Sequence, residues 1–327
     1  MVGRRALVTG ATGGLGQTLV LTLIAQGYTV DAMGRNSNIG HELSEVGANF
    51  IAYDLSTPFN PDIMKHVDVV FHLAALSSPW GKAESFESIN VTATQSLCRA
   101  AKQMGVECFI FTSSPSIYAM SMDRINIKDG DAPASPFANH YARTKFDAEK
   151  IVLNTQGLHR IIIRPRAIVG PNDTVLLPRL MAALKRRVLP LPNEGRALIE
   201  LTDVRDVVSA LISADEHRVI ADGQAFNISG GDPLELRRIL STLSDKFHLN
   251  LRTIHIPTKL LAGLSALLAF GANLWPGQPE PPLTPYMVKT LAFSQTFDLS
   301  KAKEVLKWAP LYSSEDAINA ALEGIKI

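Results

Sequence analysis

The sequence predicts an α/β fold: a doubly wound parallel sheet with a smaller C-terminal lobe. Two observations carry this expectation. Short apolar runs alternate with helical patterns through the first half of the chain, which argues for a parallel sheet with helices on both faces. A glycine-rich turn, TGATGGLG, stands where the first run ends and the first helical pattern opens. The chain has 327 residues, 46% hydrophobic and 19% charged, which suits a globular protein of one large or two smaller domains.

The elements follow in order. Arg5 to Thr9, RALVT, is the first strand. An apolar helical pattern runs from Leu15 to Gln26, Gly27 closes it, and YTVDAM begins the second strand. NFIAYD, DVVFHLA, CFIFTSS and RIIIRP read as further strands, and Ser85 to Met104 and His140 to Leu153 as helices between them. The crossovers should be right-handed, and ligands should bind beyond the carboxyl ends of the strands.

The glycine-rich turn sits at such an end. Gly10, Gly13 and Gly16 are spaced three apart, directly after a strand and at the opening of a helix. Glycine allows the tight turn and the close approach of backbone to a pyrophosphate, and the helix offers its free N–H groups and positive dipole end. A dinucleotide is therefore the expected cofactor. NAD sites usually carry an acid at the end of the second strand for the ribose 2′-hydroxyl. Here Gly34 takes that place, with Arg35 and Asn36 next and Asp31 too early, inside the strand. A missing carboxylate beside a guanidinium suits a 2′-phosphate, so NADP is expected in preference to NAD.

In HYARTK, Tyr141 and Lys145 lie four residues apart, on one face of the expected helix. A lysine charge near a phenol lowers the phenol's pKa from its usual value of about 10, making it a proton donor and acceptor near neutrality. His140 faces another way and reads as structural. Arg164, at a strand end before Pro165, reads as an ion-pairing residue. Asp203, Arg205 and Asp206 are expected to tie the two lobes together.

Composition narrows the function classes. A formal net charge of +1 gives no electrostatic argument for nucleic acid. Cys98 and Cys108 make neither a disulfide framework nor a zinc site, so no metal is expected and a reducing, cytoplasmic location is the default. The N-terminus turns glycine-rich too early for a signal peptide.

With these residues in view, the chain resembles the extended short-chain dehydrogenase/reductase superfamily over nearly its whole length. TGATGGLG resembles its T-G-x-x-G-x-x-G turn, implying cofactor contacts from Gly10, Thr12, Gly13, Gly14, Leu15 and Gly16. YDLS resembles the acidic-apolar adenine contact, here Asp54 and Leu55. HLAAL, with Leu73, Ala74 and Ala75, resembles the stretch lining the cofactor, and INVTATQSLCRAA the helix opening with Asn90. FTSSPSIY resembles the serine strand, YARTK the catalytic helix, and IIIRPRAIVGPND the segment meeting the nicotinamide end, here through Pro165 and Ile168.

The resemblance implies a Rossmann-type domain over residues 1–170, rejoined by 199–230, and a substrate lobe of 171–198 and 231–327. It also implies a mechanism. Tyr141 protonates a carbonyl oxygen or takes the alcohol proton, and Lys145 lowers its pKa and bonds the nicotinamide ribose. The third member lies four residues before the strand-end Tyr118, which is Ser114; Ser113 is its rival and Ser116 a weaker one. Dehydratases carry two acids after that position, where this chain has Pro115 and Ser116. The segment Pro279 to Pro310 resembles the 3β-hydroxysteroid dehydrogenase-like branch, implying a secondary alcohol or ketone on an apolar skeleton. A nucleotide-sugar epimerase is the alternative within the superfamily. A non-catalytic dinucleotide sensor is the alternative outside catalysis, and retention of Ser114, Tyr141 and Lys145 argues against it.

The run LLAGLSALLAFGANLW, Leu260 to Trp275, carries no charge. It is shorter than the roughly 20 apolar residues that span a bilayer, and Gly263, Gly271 and Asn273 interrupt it. Three readings stay open: a core helix of the substrate lobe, a homodimer face, and a shallow membrane-contacting lid that admits an apolar substrate.

Overall fold

A computed structural model gives the structure of the protein and describes residues 3–173, 176–185, 188–248 and 251–322. Met1, Val2, and positions 174–175, 186–187, 249–250 and 323–327 of the expected substrate lobe lie outside the described residues.

The first half alternates strand and helix. It runs β1 (Arg5–Thr9), α1 (Gly14–Ala25), β2 (Thr29–Gly34), α2 (Ser37–Glu45), β3 (Asn49–Ala52) and β4 (Val69–His72). A helical stretch follows: α3 (Ala83–Phe86), a π-helical segment Glu87–Thr92, and α4 (Ala93–Met104). Then come β5 (Cys108–Thr112), β6 (Arg124–Ile127), α5 (His140–Asn154) and β7 (His159–Pro165).

The second half is less regular. Its elements are β8 (Ile168–Val169), α6 (Leu176–Lys185), β9 (Val188–Leu191), β10 (Leu198–Ile199), β11 (Thr202–Asp203), α7 (Val204–Glu216), α8 (Arg218–Ala221) and β12 (Gln224–Ile228). After them come β13 (Leu234–Glu235), α9 (Leu236–Lys246), β14 (Arg252–His255), α10 (Thr258–Leu274), α11 (Pro285–Ala292), β15 (Gln295–Phe297), α12 (Ser300–Val305) and α13 (Ser314–Leu322).

Seven of the strands form one sheet in the order β12-β7-β5-β4-β1-β2-β3, and every neighbouring pair is parallel. The continuous apolar runs follow from burial on both faces. In β1, Ala6 and Val8 pack with Leu19 and Leu23 of α1 and Leu211 of α7. Leu7 points the other way, packing with Leu97 of α4 and Val152 of α5. The chain winds outward from β1 in one direction and from β4 in the other. The order therefore reverses between β1 and β4, and the crevice beyond their carboxyl ends is where such sheets take ligands.

A second sheet, β13-β10-β15-β6, and the short pairs β8 with β11 and β9 with β14 build the remainder. Its core is Ile199, Leu236, Ile239 and Leu240 against Ala317 and Ile318 of α13. β6 comes from the first half of the chain and pairs with β15. Asp203 caps α7, accepting from Arg205 N, and its carboxylate pairs with the Arg205 side chain. Asp206 accepts from the backbone N–H groups of Leu311 and Tyr312, at 2.9 and 3.1 Å. Asp206, with Arg205 stacked 3.5 Å from the Tyr312 ring centroid, fastens the C-terminal segment to α7, while the Asp203–Arg205 bonds are local to the start of that helix.

The apolar run forms α10, and the core-helix reading of it fails. One edge packs on α11 through Leu261, Val288 and Ala292. The other side leaves Leu260 64%, Leu267 68%, Phe270 63% and Leu274 72% exposed. No helix among the described residues is long and apolar enough to cross a membrane.

Candidate active site

The glycine turn is shaped as a cradle. Gly10 has φ +73°, and a Cβ there would lie 2.9 Å from Ala74 N. A Cβ on Gly16 would overlap the Gly10 carbonyl, and one on Gly14 would lie 2.6 Å from Asn172 O. Gly13 precedes α1 without a side-chain cap, and the first turn carries no acid. The free N–H groups of that turn are thus left to a ligand. The geometry fits a pyrophosphate bound against bare backbone. Leu15 packs against the core beneath the turn.

The end of β2 holds no acid that could read a ribose. Asp31 is buried and bound to Arg5 at 2.6 and 2.9 Å and to Asn49 at 2.7 Å. A Cβ on Gly34 would meet the Thr12 side chain at 2.6 Å, so Thr12 fills that place. Arg35 is exposed. The Asp54 carboxyl sits below its usual range, held there first by its bonds to Ser56 and then by the Arg35 charge. Asn36 acts locally, its Oδ1 capping α2 by accepting from Asn38 N and Ile39 N. Leu55 packs partly buried on the second core cluster.

Beyond β4, Leu73 N donates to Thr9 O and Ala74 N to Thr9 Oγ1, and Ala75 is half-buried beside them. Asn90 is buried in the π-helical segment. Its Oδ1 accepts from Leu76 N at 2.8 Å and its Nδ2 donates to Thr144 Oγ1 at 3.1 Å. Asn90 therefore joins the loop beyond β4 to α5, and its amide is already used. A buried histidine extends this chain of bonds. His72 lies 2.7 Å from Thr9 Oγ1 and 2.9 Å from Thr94 Oγ1. Thr94 gives its one hydroxyl proton to Asn90 O, so His72 Nε2 is the donor and Nδ1 the acceptor. Burial, and then the Lys145 charge, pull the His72 pKa down to about 3.

Asn139 opens α5 by accepting from Ala142 N at 2.9 Å, and Tyr141 and Lys145 follow one turn apart. Lys145 is 1% exposed. Its Nζ donates to Thr112 O at 2.5 Å and stands 4.0 Å from the Phe111 ring centroid. Burial pulls its pKa down to about 7, against the attraction of Glu149. The expected lowering of the Tyr141 pKa is absent. Burial raises it, with the Tyr286 phenol adding to the rise, while the Ser114 and Ser77 hydroxyls work the other way. The physical reason is the burial of the phenol, while the Lys145 ammonium is held by Thr112 O and the Phe111 face.

The three candidate serines differ in exposure. Ser113 and Ser116 are 3% and 2% exposed. Ser114 stays half-open, next to Tyr141, and also caps the following turn by accepting from Ser116 N at 3.2 Å. Arg164 is the expected ion-pairing residue: it grips Glu149 at 2.8 and 2.6 Å and donates to Tyr118 Oη at 2.6 Å. Pro165 is buried where β7 pairs with Ile228 of β12, and Ile168 is half-buried in β8. Sequence patterns do not single out His72, Ser77, Arg166 or Tyr286. His72 and Arg166 stand inside quoted motifs, where a signal was within reach. Tyr286 lies on α11, and only folding brings its phenol within electrostatic reach of Tyr141.

Comparisons with known proteins place the chain among its relatives. The model of the NAD dependent epimerase/dehydratase family matches residues 6–229. The "Uncharacterized protein YbjS" of Escherichia coli (strain K12) is 32% identical over 326 residues, 96% of this chain and 95% of that one. The 2-alkyl-3-oxoalkanoate reductase of Shewanella oneidensis is 29% identical over 96% of this chain and 84% of its own. The sterol-4-alpha-carboxylate 3-dehydrogenase, decarboxylating, of Bos taurus is 29% identical over 97% and 91%. Among solved structures, MoeE5 in complex with UDP-glucuronic acid and NAD superposes with a TM-score of 0.75 at 25% identity, covering 98% of each chain.

Proposed function

The chain belongs to the NAD dependent epimerase/dehydratase family, and within it we propose that the protein is an oxidoreductase interconverting a secondary alcohol and a ketone on a hydrophobic substrate, with NADP preferred over NAD. The observation that carries this reading is the Tyr141 phenol, kept protonated by burial and flanked by the accessible Ser114 at the carboxyl edge of the sheet. When bound, the dinucleotide supplies a hydride to the carbonyl carbon or takes one from the alcohol carbon. Ser114 Oγ holds the substrate oxygen. As the carbonyl electron pair moves onto that oxygen, Tyr141 gives it a proton; in oxidation Tyr141 takes the proton back. Lys145 places a cation one turn along α5.

Gly10, Gly13, Gly14 and Gly16 cradle the pyrophosphate, and Asn90 and His72 hold the loop beyond β4 in register. The NADP preference is supported by the closed Gly34 position and the exposed Arg35. The substrate class is supported by two relatives whose names pair alcohol–ketone chemistry with an alkyl or sterol skeleton. It is supported too by α10, whose exposed leucines, Phe270 and Trp275 form an apolar face with Lys259 at its start. We infer that this face rests on a lipid surface, the geometry of an interfacial helix.

The test is Tyr141→Phe, assayed by nicotinamide absorbance with a panel of apolar ketones. Loss of the proton donor should lower the rate by about 10²–10⁴-fold while NADPH still binds. Wild-type activity in the variant removes Tyr141 from the chemistry. A wild-type enzyme that converts a nucleotide sugar without net change in absorbance, and ignores every ketone, is an epimerase.

A further inference from the structure

The loop beyond β4 and the segment joining α10 to α11 meet at the edge of the crevice. Trp80, half-buried in that loop, donates its indole Nε1–H to Gln278 O at 3.0 Å, a bond between opposite halves of the chain. The Trp80 side is braced. Ser78 Oγ donates to Trp80 O at 2.7 Å, and Asn139 Nδ2, at the start of α5, donates to Pro79 O at 3.4 Å. Tyr141 follows Asn139 by two residues, so the contact borders the proposed proton donor.

The Gln278 side is loosely held. Trp275, Pro276, Gly277, Pro279 and Glu280 are all exposed. Gly277 and Gln278 take left-handed backbone, with φ +82° and +47°, and Gln278 N closes the turn by donating to Trp275 O at 3.0 Å. Glu280 pairs with Arg179 of α6 at 3.1 Å, a surface pair of the kind that contributes little. The segment is buried again only at Pro281 and Thr284. One turn thus joins two contacts. Its first residue, Trp275, ends α10 with 68% of its surface exposed, and its last, Gln278, takes the hydrogen bond from Trp80. The chain carries no Asp or Glu from Leu251 to Pro279, while Arg252 and Lys259 are exposed there. An apolar helix face with an aromatic end and basic neighbours complements an anionic bilayer.

We propose that the turn Trp275–Gln278 is a gate worked by a lipid surface. Trp80 latches it shut in the free protein. Seating α10 and Trp275 in an anionic bilayer draws Gln278 off the indole and lets an apolar substrate pass from the lipid into the crevice. A neutral hydrogen bond at a half-open position is exchanged for water at small net cost, so a few apolar side chains entering the bilayer outweigh it. The proposal rests on the lipid-facing reading of α10 and adds to it a route for the substrate.

The experiment compares wild type, Trp275→Ala, and Trp80→Phe, which loses the indole N–H and keeps an aromatic ring. Each is assayed for NADPH-dependent reduction of methyl 3-oxotetradecanoate and of the water-soluble ethyl 3-oxobutanoate, with and without vesicles of phosphatidylcholine and phosphatidylglycerol. Fluorine NMR of protein carrying 5-fluorotryptophan at its three tryptophans, Trp80, Trp275 and Trp308, reads the latch without turnover. Vesicles should raise the wild-type kcat/KM for the long ketone. Trp80→Phe should reach that rate without vesicles, a gain of about two- to tenfold, the population shift that one neutral hydrogen bond sustains. The short ketone should gain little in either case, and Trp275→Ala should stay slow on vesicles. In wild type the Trp80 and Trp275 resonances should move together when vesicles are added; in Trp275→Ala the Trp80 resonance should stay in place. A Trp80→Phe enzyme that matches wild type, with the same gain on vesicles, overturns the gate. So does one that loses rate on both ketones alike, which would make Trp80 a plain brace of its loop. If neither ketone is reduced and the two resonances still move together, the gate stands and the alcohol–ketone reading falls. If both ketones are reduced while vesicles move neither resonance, the gate and the lipid face fall and the alcohol–ketone reading survives; a dimer that Trp275→Ala dissociates would then assign the face to a second copy.

Discussion

Wedged between the Thr112 carbonyl and the Phe111 ring, Lys145 carries an ammonium whose pKa burial pulls to about 7 from an ordinary 10.5. Between those two values the unfolded chain binds a proton that the folded chain does not. The contribution of this group to stability therefore rises as pH rises through that window. Its contribution to catalysis runs the other way, because the cation is present only on the acid side. Tyr141, raised by burial, remains a phenol throughout neutrality. The reduction rate should fall as pH climbs through about 7, and Lys145→Met should lose that limb along with most of its activity. Profiles of kcat from pH 5.5 to 9 check this; a wild-type rate flat across neutrality would mean that the ammonium is not required. The residue identities were legible from Tyr141, Lys145 and the glycine spacing. The sign of the Tyr141 shift was not, because spacing along a helix says nothing of how deeply the phenol is buried.

At the scale of elements, the pattern from Ser85 to Met104 reads as one helix, and its π-helical segment Glu87–Thr92 is invisible in it. Such segments widen the helix by one residue and favour functional sites. Here the widening accompanies the burial of Asn90 between Leu76 and Thr144, and only those partners explain it. α10 poses the opposite case. Its apolar composition is plain in the sequence, while its exposure follows from the one face it docks on α11. Replacing Leu264 and Leu267 with serine should weaken binding to anionic vesicles by tenfold or more, since each exposed leucine contributes about 1.5–3 kcal/mol when buried. The thermal midpoint should change little, because both side chains are largely open to solvent, at 47% and 68% exposure. Sedimentation of wild type and variant on vesicles checks this. A dimer that dissociates in the variant, without loss of vesicle binding, would assign the face to a second copy.

For the whole molecule, the crevice between β1 and β4 joins loops from both halves of the sheet, so a dinucleotide bound there steadies the fold as a unit. Ligand at 100 times its Kd adds about 2.7 kcal/mol. NADP should therefore raise the melting temperature by several degrees at concentrations where NAD raises it less. Arg35→Ala should erase that difference while leaving the NAD shift in place, since a charge-assisted phosphate contact contributes about 1.5–3 kcal/mol. Thermal melts with each cofactor decide it; a larger shift with NAD in the wild type would assign Arg35 to solvent.

The alternation of strands and helices, the glycine turn and the helix α5 were determined by the sequence alone, because each depends on residues close together in the chain. RALVT must be buried on both faces, and TGATGGLG must turn tightly into a helix. What the tertiary structure decided is whatever depends on distant partners. It joined Thr9, His72, Thr94 and Asn90 into one chain of hydrogen bonds, turned half of α10 outward, and brought Tyr286 of α11 within electrostatic reach of both Tyr141 and Arg166. It also satisfied Arg164 with Glu149 while leaving Arg166 without an ion-pair partner among the described residues. Two arginines two residues apart look alike in a sequence; burial and the choice of partner, which only packing supplies, set them apart.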